Sequence, residues 1–308
     1  MAAIAALAIS GLWTCCYAAK RASHGRPTVI STDNGIAFDY SPQIRIRYKV
    51  VGDAGSALIL LHGFGASLES WKDIRPLLSE NHRLYIVDMK GFGNSSKPND
   101  RSYSIADQAE IIRSLVAHLG LPEVVLVGHS YGGAVAMMTY FKLASSPKNR
   151  VSRMVLIDAP GYPQRFPFFI SVLRAPVLNR VSLNLVSSRA RAKYILNHIF
   201  WNKAAVTEER IQRYAQFFDL PGSHDALIES ARQIVPDDPT VLSGRIPDIG
   251  VPTMILWGKQ DPLISLWQAE RLHREIKGSR LEILNNCGHV PHEERPEDSA
   301  KLILDFLK

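Results

Sequence analysis

One stretch, from Pro122 to Met138, constrains the fold of this chain more than any other. Its β-branched run Val124 to Val127 predicts a strand buried on both faces, and residues 134–142 predict a helix. Between them stands Gly128-His129-Ser130-Tyr131-Gly132, whose two glycines leave room for a tight strand-to-helix reversal on a strained serine backbone. Such a turn sets the Ser130 hydroxyl at a helix N-terminus, where free N–H groups and the helix dipole favour developing negative charge. We interpret Ser130 as a nucleophile; the alternative is a serine that only caps the helix.

A second glycine turn follows the strand predicted from Ala57 to Leu61 and reads His62-Gly63-Phe64-Gly65. A turn of this kind after a central strand delivers one backbone N–H group toward the nucleophile, and the residue after the nucleophile supplies another. We therefore assign an oxyanion hole to the N–H groups of Phe64 and Tyr131. The alternative for this motif is a plain turn.

An acid and a histidine that complete a catalytic triad lie downstream. The strand predicted from Thr253 to Trp257 leads into a loop that contains Asp261, and His289 follows the last predicted strand, residues 281–284. The chain order serine, aspartate, histidine fits a hydroxyl that a histidine deprotonates while the acid orients the histidine. The predicted catalytic residues are Ser130, Asp261 and His289.

Three other residues are alternatives for these roles. Asp158 ends the preceding strand and is a rival to Asp261 as the acid. His292 competes with His289, although capping or packing at the start of the final helix explains it. Asp88 also ends a predicted strand, but it precedes the nucleophile, so we expect it to brace the following glycine loop.

Length, charge and cysteine content exclude several classes of protein. At 308 residues the chain is long enough for one large α/β domain or two ordinary ones. Its net charge of +7 is modest, and no basic run is interleaved with aromatic residues, so nucleic-acid binding is not expected. The three cysteines, Cys15, Cys16 and Cys287, are too few for a disulfide framework and lack zinc-binding spacing. We expect neither a metal nor a cofactor.

The N-terminal segment from Ala2 to Ala19 is uncharged and mostly apolar, and Lys20, Arg21 and Arg26 follow it. A helix of that length rises about 27 Å, close to the roughly 30 Å hydrocarbon core of a bilayer. A secretory signal carries its positive charge before the apolar core, whereas here the charge follows it. We therefore expect residues 1–26 to associate with a membrane as an uncleaved segment, either a span or an interfacial helix. A span would place the body of the protein on the cytoplasmic side. The alternative is a helix packed on the body.

Strands alternate with helices along the chain, which predicts an α/β fold with a mostly parallel sheet covered by helices on both faces. About ninety residues separate Asp158 from Pro252, too many for a loop, so we expect structure of their own there. From Ala159 to Thr207 no residue is acidic, whereas seven are arginine or lysine among many apolar ones. That mixture suits a surface resting on an anionic membrane; the alternative is apolar residues lining a pocket and arginines in solvent.

Five motifs together resemble those of the serine α/β-hydrolases. They are His62-Gly63-Phe64-Gly65, Asp88 with Gly91-Phe92-Gly93-Asn94-Ser95, Gly128-His129-Ser130-Tyr131-Gly132-Gly133, Trp257-Gly258-Lys259-Gln260-Asp261 and Gly288-His289-Val290-Pro291-His292. Within that superfamily the chain is most similar to the bacterial family V esterases and lipases. The resemblance implies an α/β-hydrolase core over residues 27–160 and 246–308, and a helical cap over residues 161–245 inserted after the strand ending near Asp158.

The resemblance and the triad predict a carboxylic ester hydrolase, an esterase or lipase that forms an acyl-enzyme and accepts apolar small-molecule or lipid esters. A membrane surface is a predicted partner, through residues 1–19 and the basic cap. Two alternatives stay open: a C–C bond hydrolase of the meta-cleavage-product type, and a non-catalytic binding protein on the same fold. Dehalogenases and epoxide hydrolases need a carboxylate nucleophile at position 130, where this chain has serine.

Overall fold

A computed structural model describes residues 35–308 except 145, 147–149, 235–237 and 239. Eight strands within this described part form one sheet. They are β1 (Ile36–Ser41), β2 (Ile44–Val51), β3 (Ala57–Leu61), β4 (Arg83–Val87), β5 (Glu123–His129), β6 (Arg150–Ile157), β7 (Thr253–Gly258) and β8 (Arg280–Leu284). Their order is β1-β2-β4-β3-β5-β6-β7-β8; β2 pairs antiparallel with β1 and with β4, and every other pair is parallel. The predicted α/β fold is confirmed.

The central strands are apolar because both of their faces are buried. In β5, Val125 and Val127 pack on one side of the sheet with Trp71, whereas Leu126 packs on the other side with the helix that contains Val135. Alternate side chains of a strand point to opposite faces, so a strand covered on both faces needs apolar residues at every position. The continuous apolar run that predicts this strand follows from that burial.

The chain order reverses between β3 and β5, which are neighbours in the sheet. The parallel strands β3, β5, β6, β7 and β8 end at one edge of the sheet, so the loops that follow them meet there. Open α/β sheets bind ligands at such an edge, next to the point of reversal. The loops after β3 and β5 carry Phe64 and Ser130, and the later loops carry Asp158, Asp261 and His289.

Twelve α-helices lie in the described part. They are α1 (Arg75–Ser79), α2 (Ile105–His118), α3 (Tyr131–Leu143), α4 (Phe168–Arg174), α5 (Leu178–Leu185), α6 (Ser188–Ile199), α7 (Glu208–Ala215), α8 (Ser223–Gln233), α9 (Thr240–Ser243), α10 (Trp267–Glu275), α11 (Pro291–Glu294) and α12 (Pro296–Leu307). The six helices α4 to α9 occupy the sequence between β6 and β7, which confirms that this segment has structure of its own. We call residues 161–245 the insertion; its standing as a separate cap domain stays a prediction.

The predicted membrane localisation is wrong, judged on the helices that the structure describes. None of the described helices is long and apolar enough to cross a bilayer. The longest, α2, has 14 residues and rises about 21 Å, well short of the roughly 30 Å hydrocarbon core. The segment on which the prediction depended, residues 1–26, lies outside the described residues.

Candidate active site

Ser130 forms the turn between β5 and α3, as the sequence predicts. Its backbone has φ 50° and ψ −122°, a positive φ that is uncommon for a residue with a side chain. The Ser130 N–H donates to the carbonyl oxygen of Ile157 at 2.8 Å, and its carbonyl accepts from the Gly133 N–H at 2.8 Å. These bonds hold the strained turn in place, and the side chain stands half-buried at the N-terminus of α3.

Close backbone contacts explain the glycines around Ser130. A Cβ at Gly128 would lie 2.3 Å from the carbonyl oxygen of Gly132, and one at Gly132 would lie 2.3 Å from that of Leu61. A Cβ at Gly133 would lie 2.3 Å from the Cβ of Ala159. Each distance is well inside van der Waals contact, so β5, α3 and β3 approach as closely as they do only because these positions lack side chains.

The two N–H groups predicted for the oxyanion hole belong to neighbouring turns. Within the described part of the chain, no hydrogen-bond acceptor is placed for the N–H of Phe64 or for that of Tyr131, which begins α3. The rings of Phe64 and Tyr131 meet edge to face with centroids 6.2 Å apart. Both N–H groups are therefore available to a ligand, and their role in an oxyanion hole stays a prediction.

His62 fixes the turn that carries Phe64. Its Nδ1–H donates to the carbonyl oxygen of Gly63 at 2.8 Å, and its Nε2 accepts from the N–H of Met89 at 3.1 Å. Complete burial lowers the pKa of His62 to about 4, so the ring is neutral at pH 7. The histidine of this turn thus ties the loop after β3 to the loop after β4.

Asp261 and His289 lie in direct contact, as predicted for the acid and the base. His289 Nδ1 is 2.7 Å from Asp261 Oδ2, and both side chains are almost fully buried. The other carboxylate oxygen, Oδ1, accepts from the N–H groups of Leu263 at 2.7 Å and Ile264 at 3.1 Å. This arrangement leaves Nε2 of His289 for exchange of a proton with the predicted nucleophile. The catalytic roles themselves stay predictions.

The three residues considered as alternatives for the catalytic acid or base make contacts of a different kind. The Asp88 carboxylate accepts from the N–H of Leu68 at 2.7 Å and from that of Asn94 at 2.8 Å, so it braces two loops as expected. His292 is buried against Trp71, with ring centroids 4.5 Å apart. Asp158 lies beside Asp261 without a hydrogen bond to His289.

Two apolar cavities meet at Ser130. The larger has a volume of about 410 Å³, and Ser130, His289 and Phe64 line it together with Phe168, Val172, Leu183 and Ile195 of the insertion. The smaller has a volume of about 140 Å³ and is lined by Ser130, Tyr131, Phe64, Ile105, Tyr162 and Ile264, among others. The predicted nucleophile, the predicted base and both residues predicted to supply oxyanion donors thus line space that an apolar ligand fits.

The sequence matches the alpha/beta hydrolase fold family over residues 56–296, from the start of β3 to the start of α12. The chain belongs to the alpha/beta hydrolase fold family. It is 30% identical over 270 residues to monoacylglycerol lipase abhd6-B of Xenopus laevis, covering 84% of this chain and 78% of that relative. It is 28% identical over 267 residues to an uncharacterized hydrolase, YugF, of Bacillus subtilis, covering 86% of this chain and 95% of that relative.

Among solved structures, a meta-cleavage product hydrolase from Pseudomonas fluorescens IP01 is similar, with a TM-score of 0.76. The sequences are 23% identical, and the match covers 89% of this chain and 97% of that one, so it shows the fold alone. Family membership confirms the predicted superfamily and establishes a hydrolase of the α/β fold. The nearer likeness to family V esterases stays a prediction, because the similar proteins bear the names of different activities.

Sequence reasoning missed how this hydrolase holds its predicted base. The Nε2–H of His129, inside the Gly-x-Ser-x-Gly motif, donates to the carbonyl oxygen of His289 at 2.7 Å. The N–H of His289 donates to the carbonyl oxygen of Ile199, at the end of α6, at 2.8 Å. Burial lowers the pKa of His129 well below its usual range, so the ring adds no positive charge beside the base. No periodicity or motif pairs residues this far apart in the sequence.

A buried group of charges joins the insertion of this hydrolase to the segment after His289. Arg210 Nη2 donates to Asp73 Oδ2 at 2.6 Å, and Arg210 Nε lies 3.4 Å from Glu293 Oε2. Arg213 Nη1 donates to Asp73 Oδ2 at 3.1 Å, and the Tyr214 hydroxyl donates to Glu293. Because Tyr214 also lines the larger cavity, these contacts connect α7 and α11 to the site.

Replacing Glu293 with glutamine is expected to make the free energy of unfolding less dependent on pH. Burial raises the pKa of Glu293 from its ordinary 4.5 to about 7, so the folded protein holds a proton that the unfolded chain has released. Its contribution to stability is therefore full below the ordinary pKa and is lost as the pH rises through about 7. Denaturant unfolding at about pH 5 and about pH 8 measures the free energy of unfolding that wild type loses over this range and the variant keeps. That loss is at most about 1.4 kcal/mol for each pH unit between the ordinary and the raised pKa. The exposed Glu297→Gln is the control, and an equal pH dependence in Glu293→Gln and wild type would contradict the assignment.

Proposed function

We propose that this hydrolase cleaves carboxylic esters with apolar groups, through an acyl-enzyme on Ser130. The observation that carries the proposal is the meeting of two apolar cavities at Ser130, beside His289, Phe64 and Tyr131. An ester has one group on each side of its reacting carbon, and two cavities that both reach Ser130 offer space for both groups. The known chemistry of a serine, a histidine and an acid in this chain order supports the same reading.

In the proposed reaction, Ser130 Oγ attacks the ester carbonyl and His289 Nε2 takes its proton. Asp261, bonded to Nδ1, stabilises the imidazolium, and the N–H groups of Phe64 and Tyr131 stabilise the oxyanion. The imidazolium returns the proton to the departing alcohol, whose bond to the carbonyl carbon breaks and leaves the acyl group on Ser130. Water then repeats the sequence and releases the acid. No residue in this scheme calls for a metal or a cofactor.

The charge of the larger cavity favours ester hydrolysis over C–C bond hydrolysis of a dicarboxylic substrate. Arg191 is the only arginine, lysine, aspartate or glutamate among the described residues that line this cavity. Its Nη2 donates to Asp219 Oδ1 at 2.8 Å and its Nη1 donates to the carbonyl oxygen of Leu183 at 2.6 Å. Its charge is therefore already compensated, which leaves little to bind substrate carboxylates.

Hydrolysis of p-nitrophenyl esters from acetyl to palmitoyl, compared with turnover of a vinylogous diketone acid, tests this proposal. We expect ester hydrolysis, with a preference for acyl chains longer than acetyl because the cavities are apolar. Turnover of the diketone acid without ester hydrolysis would make C–C bond hydrolysis the better account. No turnover of either substrate by folded protein would favour a non-catalytic binding protein.

Replacing Ile195 with tryptophan is expected to lower the activity on esters with long acyl chains. Ile195 is half-buried on α6 and lines the larger cavity only, so an indole there fills space without touching Ser130. We expect kcat/KM for the preferred long-chain ester to fall about tenfold or more, with the acetyl ester nearly unchanged. Ile234→Trp is the matched control, because Ile234 is also half-buried but lines the smaller cavity only. An equal loss on the acetyl and long-chain esters with Ile195→Trp would contradict the proposed use of the cavity.

The exposed apolar side chains of the insertion support a further part of the proposal, that the ester is presented in an anionic lipid aggregate. Phe168, Val177 and Leu185 are 73%, 74% and 80% exposed, and Phe168 also lines the larger cavity. Exposed apolar residues in a segment that also carries arginine and lysine suit contact with an anionic interface. Adding anionic vesicles that carry a long-chain ester should raise the rate above that of neutral vesicles, and equal rates would count against this part.

A further inference from the structure

Asp158 is a fully buried acid that the proposed reaction does not use. It directly follows β6, with φ 43° and none of its surface exposed. One carboxyl oxygen, Oδ1, accepts from the N–H of Gly258 at 3.1 Å. For the other, Oδ2, no donor lies within reach among the described residues. Burying an ionised carboxylate with one N–H donor and no paired cation costs much free energy. The surroundings of Asp158 therefore do not suit an ionised carboxylate.

The neighbour of Asp158 is the carboxyl group of Asp261. One carboxyl oxygen of each side chain and a ring nitrogen of His289 all lie within 4.8 Å of one another. Two carboxylates have only acceptor atoms, so a hydrogen bond between them requires a proton on one of the pair. Two carboxylates this close together in a buried site do not both stay ionised, because each negative charge raises the pKa of the other group.

The surroundings decide which carboxyl group holds the proton. Asp261 accepts hydrogen bonds from the N–H groups of Leu263 and Ile264 and from Nδ1 of His289, all of which favour its ionised form. Among the described residues, the Asp158 carboxyl group accepts from the Gly258 N–H alone. Burial and the nearby Asp261 charge raise the pKa of Asp158 well above its usual range. The proton therefore belongs to Asp158.

We propose that Asp158 is a neutral carboxylic acid that donates its proton in a hydrogen bond to the Asp261 carboxylate and so positions Asp261 for His289. The chain of bonds then runs from the Gly258 N–H through Asp158 and Asp261 to the imidazole. Asp158 acts through Asp261 and touches no substrate, so it is a positioning residue. The inference rests on the proposed function for its effect on catalysis, but not for the location of the proton.

Two substitutions at Asp158 test the role of the donor. In Asp158→Asn the amide oxygen can accept from the Gly258 N–H while the amide N–H donates to Asp261, and asparagine tolerates a positive φ. We expect this variant to keep kcat within about threefold of wild type. Asp158→Gly also fits the positive φ but removes the donor, and we expect kcat to fall about tenfold or more with KM nearly unchanged.

Two kinetic outcomes would overturn the proposal. If Asp158→Asn loses as much kcat as Asp158→Gly, the site needs the negative charge of Asp158 rather than its proton. If Asp158→Gly keeps the kcat of the wild type, Asp158 does not position Asp261. Denaturant unfolding of both variants shows whether each is folded before its kinetics are interpreted.

Infrared difference spectroscopy tests the proton directly and does not depend on any activity. The wild type minus Asp158→Asn difference at about pH 8 is expected to contain the carbonyl band of a protonated carboxylic acid, since Asp158 stays neutral there. A difference that shows only a lost carboxylate band would overturn the inference. If the carboxylic acid band is present but no ester is cleaved, the proposed function fails while the protonated Asp158 stands.

Discussion

Replacing Ser130 with alanine is expected to lower kcat for the preferred ester by about 10⁶-fold, to the level left by binding and the oxyanion donors alone. The loss is large because the serine, the histidine and the acid act as a unit, and without a nucleophile the other two have nothing to activate. KM is expected to change little, since Ser130 contributes only one hydroxyl to two apolar cavities. Steady-state kinetics with p-nitrophenyl esters measures both constants.

Ser182→Ala provides the matched control for this substitution. Ser182 lines the same larger cavity, but its hydroxyl donates to the carbonyl oxygen of Asn179 at 2.9 Å within α5. We expect this variant to keep nearly the full rate of the wild type. Substantial ester hydrolysis by folded Ser130→Ala would contradict the acyl-enzyme, and an equal loss in both variants would point to a damaged pocket rather than to a lost nucleophile.

Replacing Arg210 with alanine is expected to cost about 3–5 kcal/mol of the free energy of unfolding. The guanidinium pairs with Asp73 and Glu293, and its plane lies over the Phe200 ring at 4.9 Å. Its removal leaves Asp73 paired with Arg213 and takes the Arg210 partner from Glu293, which is completely buried. Because α7 then loses the Arg210 contact with the segment after His289 and keeps the Tyr214 contact, ester hydrolysis is expected to fall as well. Denaturant unfolding at about pH 8, above the raised pKa of Glu293 of about 7, measures the change in stability.

Arg189→Ala is the control for the loss of an arginine from the insertion. Arg189 also forms an ion pair, with Glu208 at 2.7 Å, but both side chains are more than half exposed. Water screens such a pair, and we expect a cost of less than about 1 kcal/mol. Equal costs for the two substitutions would show that burial of the Arg210 group adds nothing to its strength.

The sequence was sufficient to predict the parts of the site that depend on local geometry. Gly128 and Gly132 mark the tight turn between β5 and α3, because a Cβ at either position would lie 2.3 Å from a backbone oxygen. Asp261 and His289 each follow a short apolar strand, and the parallel sheet brings the loops after such strands to one edge. A strand, a turn and its residue types are all local signals, so they could be read without a structure.

The contacts that support the site could not be predicted in the same way. His129 reaches the carbonyl of His289 across 160 residues of sequence, and Arg210 reaches Asp73 across 137. The first pair depends on how the loops after β5 and β8 meet, and the second on how the insertion packs against the rest of the protein. Side-chain periodicity encodes neither. Asp158 shows the same limit, since its chain position made it a rival acid, whereas its burial beside Asp261 suits a proton donor.

Labelling with a fluorophosphonate probe, followed by peptide mass spectrometry, tests the central claim that Ser130 is an activated nucleophile. Such probes react with a serine whose hydroxyl a histidine deprotonates, and not with ordinary serines. We predict a single adduct, on Ser130, that is lost in His289→Ala and on denaturation. An unlabelled Ser130 in folded protein, or an adduct on another residue, would contradict the account.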